Sequence, residues 1–569
     1  MKRIFVKEYG ILPENRKENS WQLRKMLQDT RNEHDIEIIF EEGTYHFYPD
    51  YAKEKLLYIS NHDEDTIKKV AFDLTGMKKV LILGKNTQFM FHTDIIPFHI
   101  DQCEEIAIEG IAIDYWRTGY SQGKIVELSD KKMVLEIDRK EYPYRVIHNK
   151  VYFEEEKGLS ELYCGCLEMD GERNAPVYLG HDISFNKPYA SSYGAQFREA
   201  GENLLEIELT EDRKFLETSK VGNNMILRHH WRTHPCFYIT NSKDISLKNI
   251  NIYHCTGMAV IVQFTENITL EKVNVCIHPE KKRCFTATAD GFHFVYAKGK
   301  IHIKDCLLEN QLDDPVNIHG IYGRIHKVLN KKEVLVELVE GMQKGVKLGS
   351  QGDVFAVINN VNMMECEQGK IQSLEMLNKD YMLVVFEEEM EYLKPGFVVE
   401  NKSYVPDVLV EGCTFRNNRA RGLLLTSAGE VVVRNNYFAI PGSAILVEGD
   451  SNYWFESGAV NHILVENNEF VDCAYVSDWG NAPIQVSPSA EVWEEDRRYH
   501  QCLEIKNNSF RCFDKRLVEA MNLKTFIFEN NKIQKTETFP EIPGNPLELN
   551  GVLEVKTDIE QEREHAEYI

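Results

Sequence analysis

The sequence predicts an all-β protein: a right-handed parallel β-helix, or solenoid, carrying two inserted small β-barrel-like domains. The first observation behind this is a repeat. VVVRNNYF (431–438), ILVENNEF (463–470), LEIKNNSF (503–510) and FIFENNKI (526–533) share alternating apolar residues followed by Asn-Asn. Degenerate copies precede them as ISLKNINI (245–252), ITLEKVNV (268–275), IHIKDCLL (301–308) and VLVEGCTF (408–415). The second is spacing, because the starts at 245 and 268, 408 and 431, and 503 and 526 are each 23 residues apart. Period-two alternation at that repeat length is one solenoid coil per repeat, and the L-x-x-L-x-L spacing of leucine-rich repeats is missing. Asn tolerates left-handed backbone and hydrogen-bonds its counterpart in the next coil, so the Asn pairs mark turns. The third is interruption: two long stretches break the period and hold alternating runs of their own.

Taken in order, residues 1–117 read as a cap and the first coils. NSWQLRKMLQD sets Trp21, Leu23, Met26 and Leu27 on one side of a short helix, and IEIIFEEGTYHF follows as strand. A solenoid needs such a cap over its first coil. Residues 118–225 form the first insertion, with runs such as GKIVEL and KKMVLEID, and 321–403 the second, with EVLVELVE and DYMLVVFEE. Between them, 226–320 return to helix coils; 404–550 supply the C-terminal coils, and 551–569 read as a polar, solvated tail.

Composition narrows the ligand. Against 66 Lys+Arg stand 90 Asp+Glu, a net charge of −24 in 569 residues. That balance repels nucleic acid, anionic membrane and polyanionic polysaccharide, and favours a neutral ligand. The start, MKRIFVKEYGILPENRKENS, has no apolar export core, and no later window offers about 18 uninterrupted apolar residues, so the expectation is a soluble cytoplasmic protein. The 13 cysteines are odd in number and scattered through apolar segments, which suits reduced buried thiols. Cys164 and Cys166 make a close pair with no second pair to complete a metal site. No oligomeric contact is read from the chain.

The chemistry gathers at TATADGFHF (286–294) and ENQLDDPVNIHG (309–320). Asp313 lies 12 residues after the coil start at Ile301 and Asp290 lies 11 before it; Gly257 holds both offsets in the coil from 245. Counting this way stacks Gly257, Asp290, Asp313, Ala420 and Ser443 in one column and Met258, Gly291, Asp314, Arg421 and Ala444 in the next. Stacked coils are about 4.8 Å apart. Asp290 under Asp313 then raises one carboxyl by repulsion, a proton donor, while Arg421 over Asp314 keeps that one ionised, a water-activating base. A raised acid beside a charged base is glycoside hydrolase equipment. Stacked acids on a solenoid are ordinarily a solvated face, but Phe292, Phe294, Pro315, Asn317 and His319 do not form a solvated rim.

At these residues the chain resembles glycoside hydrolase family 110, the exo-acting α-1,3-galactosidases that remove terminal galactose from blood group B and related structures. The resemblance runs through RHHWRTHP (228–235), TADGFHF, ENQLDDPVNIHGIYGR, NRARGLLLTSAG (418–429) and GSAILVEGDSNYWFESGAVNHILVENN (442–468). It implies a β-helix with barrel-like insertions, inversion, no metal and no cofactor, and a neutral galactose-terminated oligosaccharide as ligand. The family's acid falls on Asp313 and its base on Asp290 and Asp314, one or both. Trp231, Arg232, Gly291 and Phe292 depart from the pattern and bear on fine specificity. The expected substrate contacts are Arg421, Arg228, His229, Trp231, His293, Asn317, His319, Glu448, Trp454 and Glu456. Trp231 and Trp454 stack on a galactose face or fill core; Glu448, Asp450 and Glu456 bind hydroxyls or solubilise a loop. His229, His230 and His234 sit in a strand context, where an i, i+4 pair does not converge on zinc.

Three rival readings compete with this one. A polygalacturonase-like hydrolase shares TADG and LDDP, but the coil after the second insertion reads RARGLLLTSAG, without Gly-His-Gly. A non-catalytic glycan-binding β-helix would tolerate loss of Asp313. A polysaccharide lyase needs a uronic acid substrate, which the net charge disfavours.

Overall fold

A computed structural model describes residues 1–15, 19–188 and 192–559. Its frame is a parallel β-helix in which the repeat segments stack residue for residue. Ile245, Ile268, Ile301, Val408, Val431, Ile463, Leu503, Phe526 and Val555 stand in one ladder. Twenty strands join on this side of the solenoid and thirteen in the facing sheet. Each Asn-Asn pair turns the coil between two strands. The first Asn takes the left-handed conformation, φ 57° at Asn435, 56° at Asn467 and 57° at Asn507. The second builds a buried ladder: Asn468 Oδ1 accepts from Asn436 N at 2.9 Å, and Asn508 Oδ1 from Asn468 N at 2.9 Å. Inside the same turn Phe415, Phe438, Phe470 and Phe510 stack with centroids 5.2, 5.0 and 4.8 Å apart.

The helix Asn19–Thr30 caps the first coils through buried Leu23, Met26 and Leu27. Trp21 departs from the expected apolar side: it is 46% exposed and meets Tyr51 edge-on at 6.1 Å. The first insertion is a six-stranded antiparallel sheet around its own core, with a three-stranded meander beside it. The strand Asn224–Arg228 belongs to that sheet, pairing with Tyr120–Lys124, so the insertion runs past the boundary at 225 that composition suggested. The second insertion closes as a six-stranded barrel. The polar end is not wholly a tail, since Glu554–Thr557 adds a further in-register strand beneath Thr525–Phe528; residues 560–569 lie outside the described residues.

The facing sheet carries the site. Phe98, Phe237, Val260, Phe292, Val316 and Leu423 point inward to the core. The next position on each of those strands points outward and forms the ladder His99, Tyr238, Ile261, His293, Asn317 and Leu424.

Candidate active site

The register here corrects the column reading. Phe292 pairs with Val316, an offset of 316 − 292 = 24, so Asp290 stacks on Asp314 and not on Asp313. Backward counting from Ile301 fails because the ladder gains a residue between Glu266↔Lys298 and Ile268↔Ile301. Gly299 takes up that residue with φ 68° in the outer turn. Counting forward holds for the next coil: Val316 pairs with Leu423, and the same offset of 107 sets Arg421 over Asp314 and Ala420 over Asp313. It fails one coil further, where Leu423 pairs with Ile445, an offset of 445 − 423 = 22, so Ser443 and not Ala444 stands over Arg421. The outward column is therefore Met258, Asp290, Asp314, Arg421, Ser443.

Asp290, Asp313, Asp314 and Arg421 line one pocket with His293, Asn317, Glu448, Trp454 and Glu456, and with Asn61, Arg232, Met342 and Leu424. Arg421 grips Asp314 through Nη2 to Oδ2 at 2.9 Å, Nε to Oδ1 at 3.3 Å and its own backbone N–H to Oδ1 at 2.9 Å. Asp313 is held by Arg232 and, at 3.4 Å, by Arg419, whose other face is bidentate to Asp182 of the first insertion at 2.8–3.0 Å. Glu456 accepts from Asn61 Nδ2 at 3.0 Å and Asn317 Nδ2 at 3.3 Å. Asp450 turns out to organise its loop: it takes the backbone N–H groups of Asn452, Tyr453 and Trp454 and so presents Trp454.

A roof closes over this pocket from three segments far apart in sequence. Asn61 N donates to Met342 O at 2.8 Å, joining the segment 57–62 to a turn of the second insertion. Gln343 Nε2 donates to Trp454 O at 3.0 Å, joining that turn to the loop after Val447. Ser457 and Glu456 return to pair with Gly320 and Ile321.

Other expected contacts lie behind the pocket. His319 backs His293. Arg228 is buried against Tyr120, donating to its Oη at 2.9 Å, and lies over the Trp231 ring, which also packs near Arg232. His229 is drawn away: its Nδ1 and His230 Nε2 both reach Glu155 Oε1, at 2.8 and 2.7 Å. Those three residues bring ligand atoms within 4.8 Å of one another, as do His462, Cys502 and Glu504, and they are the groups with metal-ligand geometry among the described residues. Ring N–H groups of His229 and His230 donating to Glu155 satisfy the first group, with Ser121 Oγ 3.1 Å from His229 Nε2.

Comparison with known proteins gives the same direction as this geometry. Residues 121–227 match the model of GLAA-B beta-barrel domain I and residues 333–396 that of GLAA-B beta-barrel domain II. Alpha-1,3-galactosidase A of Shewanella woodyi is 30% identical over 550 residues, covering 95% of this chain and 87% of that protein. The chain belongs to the α-1,3-galactosidase family, glycoside hydrolase family 110. Alpha-1,3-galactosidase B of Bacteroides thetaiotaomicron is 28% identical, again over 95% of this chain and 87% of the relative. Among solved structures, the Streptococcus pneumoniae surface adhesin PfbA aligns at 11% identity and a TM-score of 0.40, over 94% of this chain and 91% of that one.

Electrostatics in this family member's pocket reverse the sequence-based order. Burial and the charge of Asp313 push Asp290 up to about 8. Burial likewise pushes Asp314 up to about 7: the Arg421 pair is present, but desolvation and two neighbouring aspartates outweigh it. For Asp313, burial is overcome by Arg232, Arg419, Arg421 and Arg228, which hold it below the ordinary carboxylate value. Hydrogen bonding supports the proton on Asp290. His319 Nδ1 lies 2.6 Å from the Gly320 carbonyl, which only accepts. With a neutral His293 donating from Nε2 to His319 Nε2 at 2.8 Å, its Nδ1 accepts from Asp290 at 2.6 Å. Burial drives His293 well below its usual range, consistent with the neutral ring.

Arg419, Asn61 and Met342 are site residues that the sequence does not single out, and Arg232 enters it only as a departure bearing on fine specificity. Both arginines lie inside longer motifs, RHHWRTHP and NRARGLLLTSAG. Asn61 and Met342 reach the site from the segment 57–62 and from the second insertion, and no local pattern marks them.

Proposed function

We propose that this chain is an exo-acting, inverting α-1,3-galactosidase. It removes terminal α-1,3-linked galactose from neutral oligosaccharides, blood group B-type or linear Galα1-3Gal. The observation that carries this reading is the in-register pair Asp290 and Asp314, with Asp313 beside it, at a pocket roofed by three segments. Asp313 protonates the glycosidic oxygen; Asp290 and Asp314 hold and deprotonate the attacking water on the other face of the sugar. Because the free site keeps Asp313 charged and the pair protonated, the reacting form is a minor one with the proton moved to Asp313. A galactoside oxygen seated against Asp313 replaces a guanidinium contact and favours that form. Glu448, Glu456, Asn317 and Asn61 supply hydroxyl partners, and Trp454 a ring face.

Proton NMR during early turnover of a linkage-defined α-galactoside panel tests this. The first product from α-1,3-linked substrates is β-galactose. α-Galactose appearing first, or galactose transfer to methanol with retained configuration, overturns inversion; turnover of other linkages at equal rates overturns the specificity.

A further inference from the structure

Beyond the segment 57–62, on the N-terminal side of the pocket, the same outward sheet face carries a second cleft. We propose that it is a separate binding site for a neutral saccharide. The cleft holds about 320 Å³ and is lined by Tyr58, Tyr238, Phe264 and Tyr404 with His99 and Asp101. That is within the about 300–1,000 Å³ of small-molecule sites. It is distinct from the pocket of Asp290: His99, Tyr238, Ile261 and His293 are successive in-register neighbours, so His99 stands three strands, about 14 Å, from His293.

Two features identify the ligand class. His99 is 1% exposed, and its Nε2 has no protein partner. Its Nδ1 faces the Lys55 ammonium at 3.0 Å and Asp73 Oδ1 at 3.6 Å, so in either tautomer Nε2 is left as a buried polar atom without a partner. A buried polar atom left unpaired costs about 1–3 kcal/mol, which a ligand hydroxyl, able to donate or accept, recovers. Asp101 offers a matching acceptor: one carboxylate oxygen takes Asn241 Nδ2 at 3.2 Å, and the other is available to a hydroxyl. Around these groups the cleft is aromatic. Tyr238 stacks on His99 at 5.2 Å and Phe264 meets Tyr404 edge-on at 5.3 Å, while Tyr58 is 36% exposed. An unpartnered ring nitrogen, a carboxylate acceptor and aromatic faces suit the hydroxyls and C–H face of a pyranose. Lys347 also lines the cleft, and against it Asp101 and the chain's net charge of −24 disfavour an anionic sugar. The proposal rests on this lining and not on the hydrolytic reading.

The test is titration of lactose into the full-length protein, by calorimetry and saturation-transfer NMR, with nitrophenyl α-galactoside turnover measured over the same lactose range to report the catalytic pocket separately. Wild type is expected to bind lactose and to ignore digalacturonate. Ser350→Trp, at an exposed position on the cleft, and Tyr404→Ala each weaken lactose binding by about tenfold or more. Both leave turnover of a nitrophenyl α-galactoside within about twofold, since neither touches the catalytic pocket. No lactose binding by wild type, lactose binding by both variants equal to wild type, or a preference for digalacturonate overturns the proposal. Should Ser350→Trp fail to fold, Tyr404→Ala and the wild-type titration still decide.

Discussion

Replacing Asp313 by Asn separates the acid from the base in a single experiment. If Asp313 protonates the leaving oxygen, Asp313→Asn lowers turnover of a natural galactosyl disaccharide by about 10²–10⁴-fold, the usual worth of general acid catalysis. A nitrophenyl galactoside needs little protonation and loses within about tenfold. The structure adds a second signature. Asp313 is a named cause of the raised pKa at both Asp290 and Asp314. Two charges about 5 Å apart at an effective dielectric near 20 repel by about 3 kcal/mol, equivalent to roughly 2 pH units. Removing that charge lets the base ionise more easily. Residual aryl activity should therefore rise with pH through a single limb, displaced downward by roughly 2 pH units from the region of 7–8, and stay level at alkaline pH. Wild type on the disaccharide gives a bell, because it must also keep one proton. The assay is kcat/KM across pH 4–10 on both substrates. Equal losses on the two substrates, or aryl activity that still falls at high pH, would place the acid proton on Asp290 or Asp314.

Other perturbations follow from the same contacts. Arg421→Met, made in the Asp313→Asn background and read on the aryl substrate, removes two hydrogen bonds to Asp314 and moves the single limb upward by roughly 1–2 pH units; an unmoved limb takes Asp314 out of the base role. Asp290→Asn abolishes turnover yet stabilises the fold above pH 8. The raised Asp290 makes the native state bind more protons than the unfolded one between about pH 4 and 8, so its contribution to stability falls as pH rises through that window, and Asn is exempt. Thermal melts should show a Tm gain at pH 9 that vanishes below pH 4, and no gain at pH 9 contradicts a protonated Asp290. Asn468→Ala cuts the buried Asn ladder and strands Val433 O and Asn436 N; it costs about 2–4 kcal/mol by denaturant unfolding, with kcat unchanged.

The β-helix was legible because its signal is local. Alternation, Asn-Asn and a fixed repeat are short-range properties, and each coil repeats them, so Ile245 through Phe526 fall into one ladder when simply aligned. Register across the site was legible forward from Asp314 to Arg421, and slipped by one residue at Ser443. The residue that Gly299 absorbs lies in an outer turn, where one more polar residue leaves no mark on composition, and it moved Asp290 from Asp313 to Asp314. Protonation was the least legible. The argument that Arg421 keeps Asp314 charged identified the right pair, but neighbour identity carries no information about burial, and burial decides the sign at both Asp314 and Asp290. Arg232 and Arg419 act on Asp313 from other segments, and Arg419 is itself steadied by Asp182 in the first insertion.

The roof explains why a solenoid, whose sheet face is naturally an open groove, should act on chain ends. An extended polymer could lie along the outward ladder from His99 to Leu424 only if nothing crossed it. Here the segment 57–62 crosses it and hydrogen-bonds to the second insertion at Met342, which in turn holds Trp454 through Gln343. Asn61 then reaches Glu456 on the opposite wall, completing a ring of contacts above Asp290, Asp313 and Asp314. A groove interrupted on both sides admits a terminal sugar and not an internal one. The second insertion, hung immediately after the aspartate coil, is thus what turns the groove into a pocket. Excising it should cost chain-end selectivity before it costs the aspartate geometry, which the coils themselves hold in register.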